Sequence, residues 1–411
     1  MAGSELGKSG RKTIFRAYKT ELELNNIQKC LCIKHVGCAR FAFNWGLQRK
    51  IEEYERIGKM PSAMDLHREL NQLKKTEFPW MYEVSKCAPQ EALRNLDYAF
   101  RHFFRRIKKK ENPGFPKFKS RKRGRGSFRL TGVIRVFHSS IQLPRLGLLR
   151  LKERDYLPHM DDRVHVLSAT VSEKAGRWFV SLQVKEEIKV SKNKGSIVGV
   201  DLGVRNLATV SDGTIIQNPK VLSRYERKLK RTQRSLERKR KGSSNRRKIV
   251  LQLQELHSRI ANIRGDVIHK ATTYLTKTKS VIAIENLSVR RMQECHSIAK
   301  SVTEACFNKI RQQLEYKSEW YGSDIFIVSR FFPSTKRCSK CGTTKSELSL
   351  STRIFKCEYC GLEIDRDLNA SYNLVAVAVS STETQNACLE VGGCSLRAVP
   401  VDEAGTELRI S

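Results

Sequence analysis

The 411-residue sequence predicts an α+β protein of several domains that carries one small metal-stapled module. Three observations predict this. Apolar residues make up 39% of a chain long enough for about two to four compact units, so wholesale disorder is excluded. Stretches of helical period (21–110, 221–279, 307–322) alternate with stretches of β pattern (12–20, 129–190, 196–213, 280–286, 324–332). Cys338, Cys341, Cys357 and Cys360 are spaced C-x2-C-x15-C-x2-C, the spacing of a zinc ribbon.

Along the chain, KTIFRAYKT (12–20) alternates as a short strand. Residues 21–110 then read as helix. Leu22, Leu24, Ile27, Leu31 and Val36 suggest an apolar stripe, and Gln90–Lys110 has an apolar face of Leu93, Leu96, Phe100, Phe103, Phe104 and Ile107. NPGFPKFKSRKRGRGSF (112–128) is a basic break. From 129 to 190 the pattern is β, with a hairpin turning near Lys174–Gly176. A new composition begins near 196, where SIVGVDLGVRNLATVSDG is a buried strand, a turn and a second strand. Residues 221–279 read as a basic helical hairpin broken at GSSN (242–245). SVIAIEN (280–286) suits a buried strand, 307–322 a helix and 324–332 a strand. After the cysteines comes a helix over about 365–379. From Ser380 the composition suggests a loosely docked or disordered tail. There is no internal repeat.

Charge narrows the partners. Net charge is +36, which points to a polyanion, with nucleic acid ahead of an anionic membrane. No apolar run approaches the roughly 18–20 residues that span a bilayer, and MAGSELGKSGRKTIF lacks the apolar core of a signal peptide, so an intracellular protein is expected. GKS at 7–9 is not a phosphate loop, because Ala2 stands where such a loop needs glycine. In a reducing compartment Cys30, Cys32, Cys38, Cys87, Cys295, Cys306, Cys388 and Cys394 are expected to be buried hydrophobes or idle thiols.

Four thiolates at ~2.3 Å complete a tetrahedron and leave no position for substrate, so the ribbon is expected to be structural. Gly342 and Gly361 each follow a pair's second cysteine, where a tight turn needs unusual backbone angles.

Chemistry is expected from acids on separate elements. Asp201 ends the apolar run Ile197–Val200, with Gly199 and Gly203 leaving room for close approach. Glu285 ends VIAIE. A carboxylate at the end of a buried strand is costly unless it is paired or binds metal; a salt bridge or turn is the plainer alternative at each. In DRDLNAS, Asp365 and Asp367 diverge by about 200° on a helix, so both should not face one site. Asp365 fits an N-cap. Asp367 then lies in the first turn, free to act as a ligand, and Asn369 is its candidate partner. Phosphodiester hydrolysis with two divalent ions needs such hard carboxylates, and Mg2+ is the natural ion.

Taken together, CARFAFNWGL (38–47), GFPKFKSR (114–121), GVDLGVRNLATVSDG (199–213), AIENLSVRRM (283–292), QLEYKSEWYG (313–322), FFPSTKRCSKCG (331–342) and CEYCGLEIDRDLNASYNL (357–374) resemble the TnpB (OrfB) family. These are transposon-encoded relatives of type V CRISPR effectors. The resemblance covers nearly the whole chain and implies an RNA-guided DNA endonuclease with an RNase H-like (RuvC) α/β domain. The family's catalytic acids fall on Asp201, Glu285 and Asp367. The resemblance also implies a wedge β-barrel (1–20 and 116–190) and a helical recognition domain (21–115). It assigns the RuvC domain to 191–337 with hairpin 221–279, the ribbon to 338–361, the last RuvC helix to 362–379 and a tail to 380–411. It implies two catalytic Mg2+ ions, one structural Zn2+, a guide RNA from the transposon end and double-stranded target DNA. It further implies a monomer in the cytoplasm of a prokaryote, associated with the nucleoid, and no membrane contact.

Basic residues suit phosphate contact. Those singled out are Arg121, Lys122 and Arg123 in the loop, and Arg227, Lys228, Lys230, Arg231, Arg234 and Arg238 in the hairpin, where the 13 Lys/Arg from Arg224 to Lys248 are together expected to spread round most of the surface. Guide RNA and an RNA–DNA duplex both remain open as the partner, and so does a merely solvated hairpin. Phe115, Phe118 and Phe128 are candidates for stacking on unpaired bases or for the core. A nuclease-inactive RNA-guided repressor and a transposase acting directly on DNA are the competing functions. A plain zinc-ribbon RNA-binding protein would leave the three acids unexplained.

Overall fold

The computed structural model describes residues 11–121, 126–349 and 351–390, the last nine by backbone alone. Expectations on Lys122, Arg123, the GKS triplet, Cys394, the side chain of Cys388 and the tail from residue 391 lie outside the described residues. The chain divides into two units, one of Met1–Lys189 with Arg227–Arg259, the other of Val190–Glu226 with Ile260–Ser411.

The first unit begins with β1 (Lys12–Glu23), α1 (Asn26–Ile57), α2 (Ala63–Thr76), a 3-10 turn (Pro79–Glu83) and α3 (Cys87–Lys108). Six strands follow: β2 (Ser127–Leu130), β3 (Arg135–Val136), β4 (Ser140–Leu143), β5 (Gly147–Leu151), β6 (Val164–Lys174) and β7 (Arg177–Ile188). The sheet order is β2-β6-β7-β1-β5-β4-β3, antiparallel throughout. The β6–β7 loop is two residues, Ala175 (φ 52°) and Gly176 (φ 77°). Two positive φ values in a two-residue loop match the right-handed twist of the flanking strands.

The stripe expected from Leu22 to Val36 is not one helix face. Leu22 pairs with Trp178 and Leu151 in the sheet, and Ile27 is 74% exposed. The reason lies in Asn25, whose side chain accepts from the Gln28 amide while Gln28 returns a bond to the Asn25 backbone. That capping box starts α1 at Asn26 and sets a different inward face: Cys32, Cys38, Ala42, Phe43, Gly46 and Leu47. Small residues let α3 come close; a Cβ on Gly46 would lie 2.6 Å from Leu93 Cδ2. Cys32 and Cys38 behave as buried hydrophobes, and desolvation pushes both thiols up to about 12. Leu93, Leu96 and Phe100 of α3 join the same core, whereas Phe104 and Ile107 leave it and are about half exposed. Phe128 is core, which removes it as a stacking candidate. Phe115 packs edge-on against Phe100 and Phe103, and Phe118 is exposed. The basic loop is pinned to α1 at Lys119, whose amide and carbonyl both bond the Asn44 side chain.

The second unit carries β8 (Ile197–Asp201), β9 (Asn206–Val210), β10 (Ile215–Gln217), β11 (Val281–Glu285) and β12 (Asp324–Val328). Their order is β10-β9-β8-β11-β12; the first three are antiparallel, while β8, β11 and β12 are parallel. In sequence between β10 and β11 run two helices, α4 (Val221–Glu237) and α5 (Ser244–Thr278), of which residues 227–259 fall in the first unit. Then come α6 (Val289–Glu294), α7 (His296–Ala305) and α8 (Phe307–Tyr321), the ribbon strands β13 (Ile354–Lys356) and β14 (Glu363–Asp365), and α9 (Arg366–Glu390). Two expectations change here. The strand expected to reach Phe332 stops at Val328, because Ser329 and Phe332 carbonyls take the Phe332 and Ser334 amides and turn the chain. The helix expected to end near Val379 runs on to Glu390, so the residues after Ser380 begin as helix rather than tail.

A carboxylate cleft and a four-cysteine ribbon

Asp201 and Glu285 end neighbouring parallel strands. Val200 stands opposite Ile284, so the two acids follow side by side at the same edge of the sheet. Asp367 is brought to them by α9. That helix crosses β8 at Gly199, where a Cβ would lie 2.0 Å from the Ser371 carbonyl oxygen and 2.9 Å from Leu374 Cβ. Only glycine permits this approach. Asp201 is two residues along β8 from that point, and Asp367 is one helical turn before Ser371.

Asp365 is the cap that its spacing suggests. Its Oδ1 accepts from the amides of Asp367 (2.9 Å) and Leu368 (3.1 Å), which starts α9 and turns Asp367 inward. Asp201, Glu285 and Asp367 line one cleft of about 1230 Å³. Desolvation, then Asp367 and Glu285, push Asp201 up to about 7. Burial also raises Glu285, partly offset by the Ser334 hydroxyl 3.4 Å away. Arg366 offers Nη2 (3.1 Å) and Nε (3.2 Å) to Asp367 Oδ1.

The sequence reading missed the charge that surrounds these acids. Arg205, Lys220, Arg330, Lys336, Arg353 and Arg366 line the same cleft. They come from six places in the chain, so no run of basic residues announces them. Also missed is Glu304, which accepts from the Leu222 amide and the Ser223 hydroxyl at the start of α4. The residues ahead of Val221 are Asn218, Pro219 and Lys220, with no usual capping residue next to the helix, and that absence was a readable signal.

Asn369 does something other than support Asp367. Fully buried, it donates to the Arg337 carbonyl (2.7 Å) and accepts from the Ser339 amide (2.9 Å). Asn373, one turn on, donates to the Ser334 and Arg337 carbonyls. Both fasten the entry of the ribbon to α9.

In the ribbon the four Sγ atoms lie within 4.8 Å of one another, the only such group of metal-ligating atoms among the described residues. Two of the separations are 3.6 Å, Cys338–Cys360 and Cys341–Cys357. Bonds of ~2.3 Å to a central ion require about 3.8 Å between sulfurs, so the cluster could hold a metal such as zinc. The knuckles repeat one design. Gly342 and Gly361 amides bond back to the Cys338 and Cys357 carbonyls, at φ of 78° and 69°. The close sulfurs pull in different directions, favouring ionisation of Cys341 and opposing that of Cys360. Hydrogen bonds from Thr343 hold Cys341 down to about 6, whereas Cys360, despite the Leu362 amide, is pushed up to about 12 by desolvation and its three neighbours. A bound cation removes that conflict.

Of the basic residues singled out, Arg121, Arg227, Lys228, Lys230, Arg231, Arg234 and Arg238 are exposed. Those on α4 lie mostly to one side of it. At about 100° per residue, Arg224, Arg227, Lys230, Arg231, Arg234 and Arg238 share an arc of about 120°, opposite buried Leu229. Lys228 lies just outside it.

Family models match over most of this architecture. Residues 179–296 match a model described as "Probable transposase" (OrfB_IS605), and 307–374 match a "Cas12f1-like, TNB domain". A third, "Helix-turn-helix domain" (OrfB_IS605), matches 14–59, although that stretch holds one strand and one helix here. A Streptomyces pristinaespiralis protein named "Putative RNA-guided DNA endonuclease" is 32% identical over 369 residues, covering 89% of this chain and 90% of that protein. The Escherichia coli K12 "Putative RNA-guided DNA endonuclease InsQ" is 32% identical over 386 residues, 88% and 92% of the two chains. In fold, the chain resembles the protein in a "Cas12f1-sgRNA-target DNA complex", with TM-score 0.54 and 14% identity over 88% of this chain and 99% of that one. The fold is thus that of the compact type V effectors. The chain belongs to the OrfB/TnpB family of transposon-associated proteins. No helix among the described residues is long and apolar enough to cross a membrane.

Proposed function

We propose that this protein is an RNA-guided DNA endonuclease whose Asp201, Glu285 and Asp367 hold two Mg2+ ions for phosphodiester hydrolysis. The reading rests on one observation: three carboxylates from β8, β11 and α9 line a single cation-rimmed cleft. Desolvation and mutual repulsion make such a set costly to ionise unless cations bind it, and hard oxygen donors suit Mg2+. When bound, the ions supply an activated water and a stabilised leaving oxygen. The chain's own residues do the positioning. Strand pairing fixes Asp201 and Glu285, the Asp365 cap fixes Asp367, and the cleft's lysines and arginines supply charge for the phosphates.

The sheet, antiparallel over β10, β9 and β8 and parallel onward to β12, supports the RNase H-like (RuvC) assignment. The seven-stranded sheet is read as the wedge and α1–α3 as the recognition domain. One Zn2+ staples the ribbon. The partners are a guide RNA from the transposon end and double-stranded DNA, and the protein works as a monomer in the prokaryotic cytoplasm. The basic face of α4 holds phosphates without reading sequence, so affinity should fall steeply with salt.

The test is to purify the chain with RNA from its own flank, then add target DNA and Mg2+. Cutting next to a short flanking motif is expected, and Asp367→Ala should bind the target without cutting it. Target binding without cutting by the wild type would leave a repressor, and strand joining without RNA would leave a transposase.

A further inference from the structure

Phe331 is 77% exposed, although it lies in the cleft with the three acids. Its neighbours hold it out. Phe332 packs against the core of Ala283, Val328, Leu374 and Ala378. The Phe332 amide bonds the Ser329 carbonyl at 3.1 Å, the Ser334 amide bonds the Phe332 carbonyl at 2.8 Å, and the Phe331 amide reaches the Ser329 hydroxyl at 3.4 Å. The turn that ends β12 is therefore fixed, and it presents the ring to solvent. The Arg330 guanidinium lies 5.4 Å from the ring centroid. An apolar ring and a guanidinium on one rigid turn match the two halves of a nucleotide, a base to stack on and a phosphate to pair with.

Resting on the nuclease reading of the cleft, we propose that Phe331 is a positioning residue that stacks on a base of the DNA strand to be cut, with Arg330 on the adjoining phosphate. Stacking tolerates any base, so the platform fixes where the strand sits without adding sequence preference. It acts on the substrate and not on the carboxylates.

The probe is a short single-stranded DNA with one 2-aminopurine, mixed with the RNA-loaded full-length chain in Ca2+. Binding by the wild type should quench the fluorescence. Phe331→Ala should keep its Tm, lose the quench and bind about tenfold or more weakly. Phe331→Trp should retain both. Arg330→Gln should keep the quench and lower the slope of affinity against salt by about one ion. In Mg2+, Phe331→Ala should raise KM more than it lowers kcat. Quench and affinity unchanged in Phe331→Ala, or lost equally in Phe331→Trp, overturn the proposal. The two readings fail separately. A wild type that never cuts but whose quench needs Phe331 sinks only the nuclease; a Phe331→Ala protein that cuts with unchanged KM sinks only the platform.

Discussion

The ribbon and the cleft are both ligand sets, and they are built in opposite ways. The ribbon takes its cysteines from 338–360, on two knuckles of one design. Its sulfurs stand at metal-ready spacing through local turns, one short hairpin and a small core around Phe355. The cleft takes its acids from 201, 285 and 367, on three elements, and its carboxylates line an open cavity without converging to that spacing. What joins its parts is tertiary packing, above all α9 lying directly on Gly199. A closed local site gives stability, while an open non-local one leaves room for substrate and keeps charges in conflict. One helix serves both, with Asp367 in the cleft and Asn369 and Asn373 on the ribbon.

The largest expected effect breaks the ribbon and spares the cleft. Structural zinc in small modules contributes about 10 kcal/mol or more of local folding energy. Stripping the metal, or Cys338→Ser, should erase amide protection over 338–360 while α9 beyond Ser371 keeps its protection. Metal analysis with hydrogen exchange reads both. Loss of α9 protection along with the ribbon would show that the two sites are not separable.

The next effect belongs to the cleft and has a sign. An unfolded Asp201 ionises near 3.8, whereas in the fold it is pushed up to about 7. Between those values the folded state binds the extra proton, so stability falls as pH rises and the loss is complete above about 7. Asp201→Asn removes the titration. Without divalent ions it should be more stable than wild type at pH 8 by a few kcal/mol and little different at pH 4. Mg2+ should raise the wild-type Tm at pH 8 and leave that of Asp201→Asn nearly unmoved. Thermal scans at the two pH values decide; a wild type already at full stability at pH 8 without ions would remove the charge conflict.

The same contrast governs what was readable in the sequence. The ribbon needed only spacing, because its geometry is local. Asp201 and Glu285 were readable as candidates because each ends an apolar run, where a carboxylate needs a reason. Their meeting was not readable from the run itself; it depends on parallel pairing of strands 84 residues apart. The Asp365 cap could be reasoned from the 3.6-residue period. Asn369 was misassigned because its partners, Arg337 and Ser339, are distant in sequence. The stripe on 22–36 failed because Leu22 and Leu24 belong to the sheet and its edge, and the true inner face of α1 mixes Phe43 and Leu47 with small residues (Cys32, Cys38, Ala42, Gly46) that a count of large apolar side chains passes over. The cations of the cleft were invisible because they are scattered singly over four segments, the β8–β9, β10–α4 and β12–β13 connections and α9.

A smaller effect tests the link between the two sites. Asn369→Ala leaves the Ser339 amide unpaired and takes one of two side-chain donors from the Arg337 carbonyl. A buried lost pairing costs about 1–3 kcal/mol. Exchange of the 338–343 amides should speed up by about tenfold or more, with zinc content unchanged. Equal exchange in the variant would mean that the ribbon holds its place without α9.

The smallest effect separates the two aspartates two residues apart. Asp365 Oδ1 bonds the Asp367 and Leu368 amides, so Asp365→Ala should cost about 1 kcal/mol through the lost cap. Asparagine caps almost as well, so Asp365→Asn should recover that stability and keep cleavage close to wild type. Asp367→Asn changes the same atom two residues on, yet it removes a carboxylate from the cleft and should abolish cleavage with little change in Tm. Cleavage that tracks charge at Asp365 would make it a ligand; cleavage that tracks hydrogen bonding there keeps it a cap. Because the asparagine variants are matched in size, a difference between them reads charge alone, which is the property that the cleft needs and the cap does not.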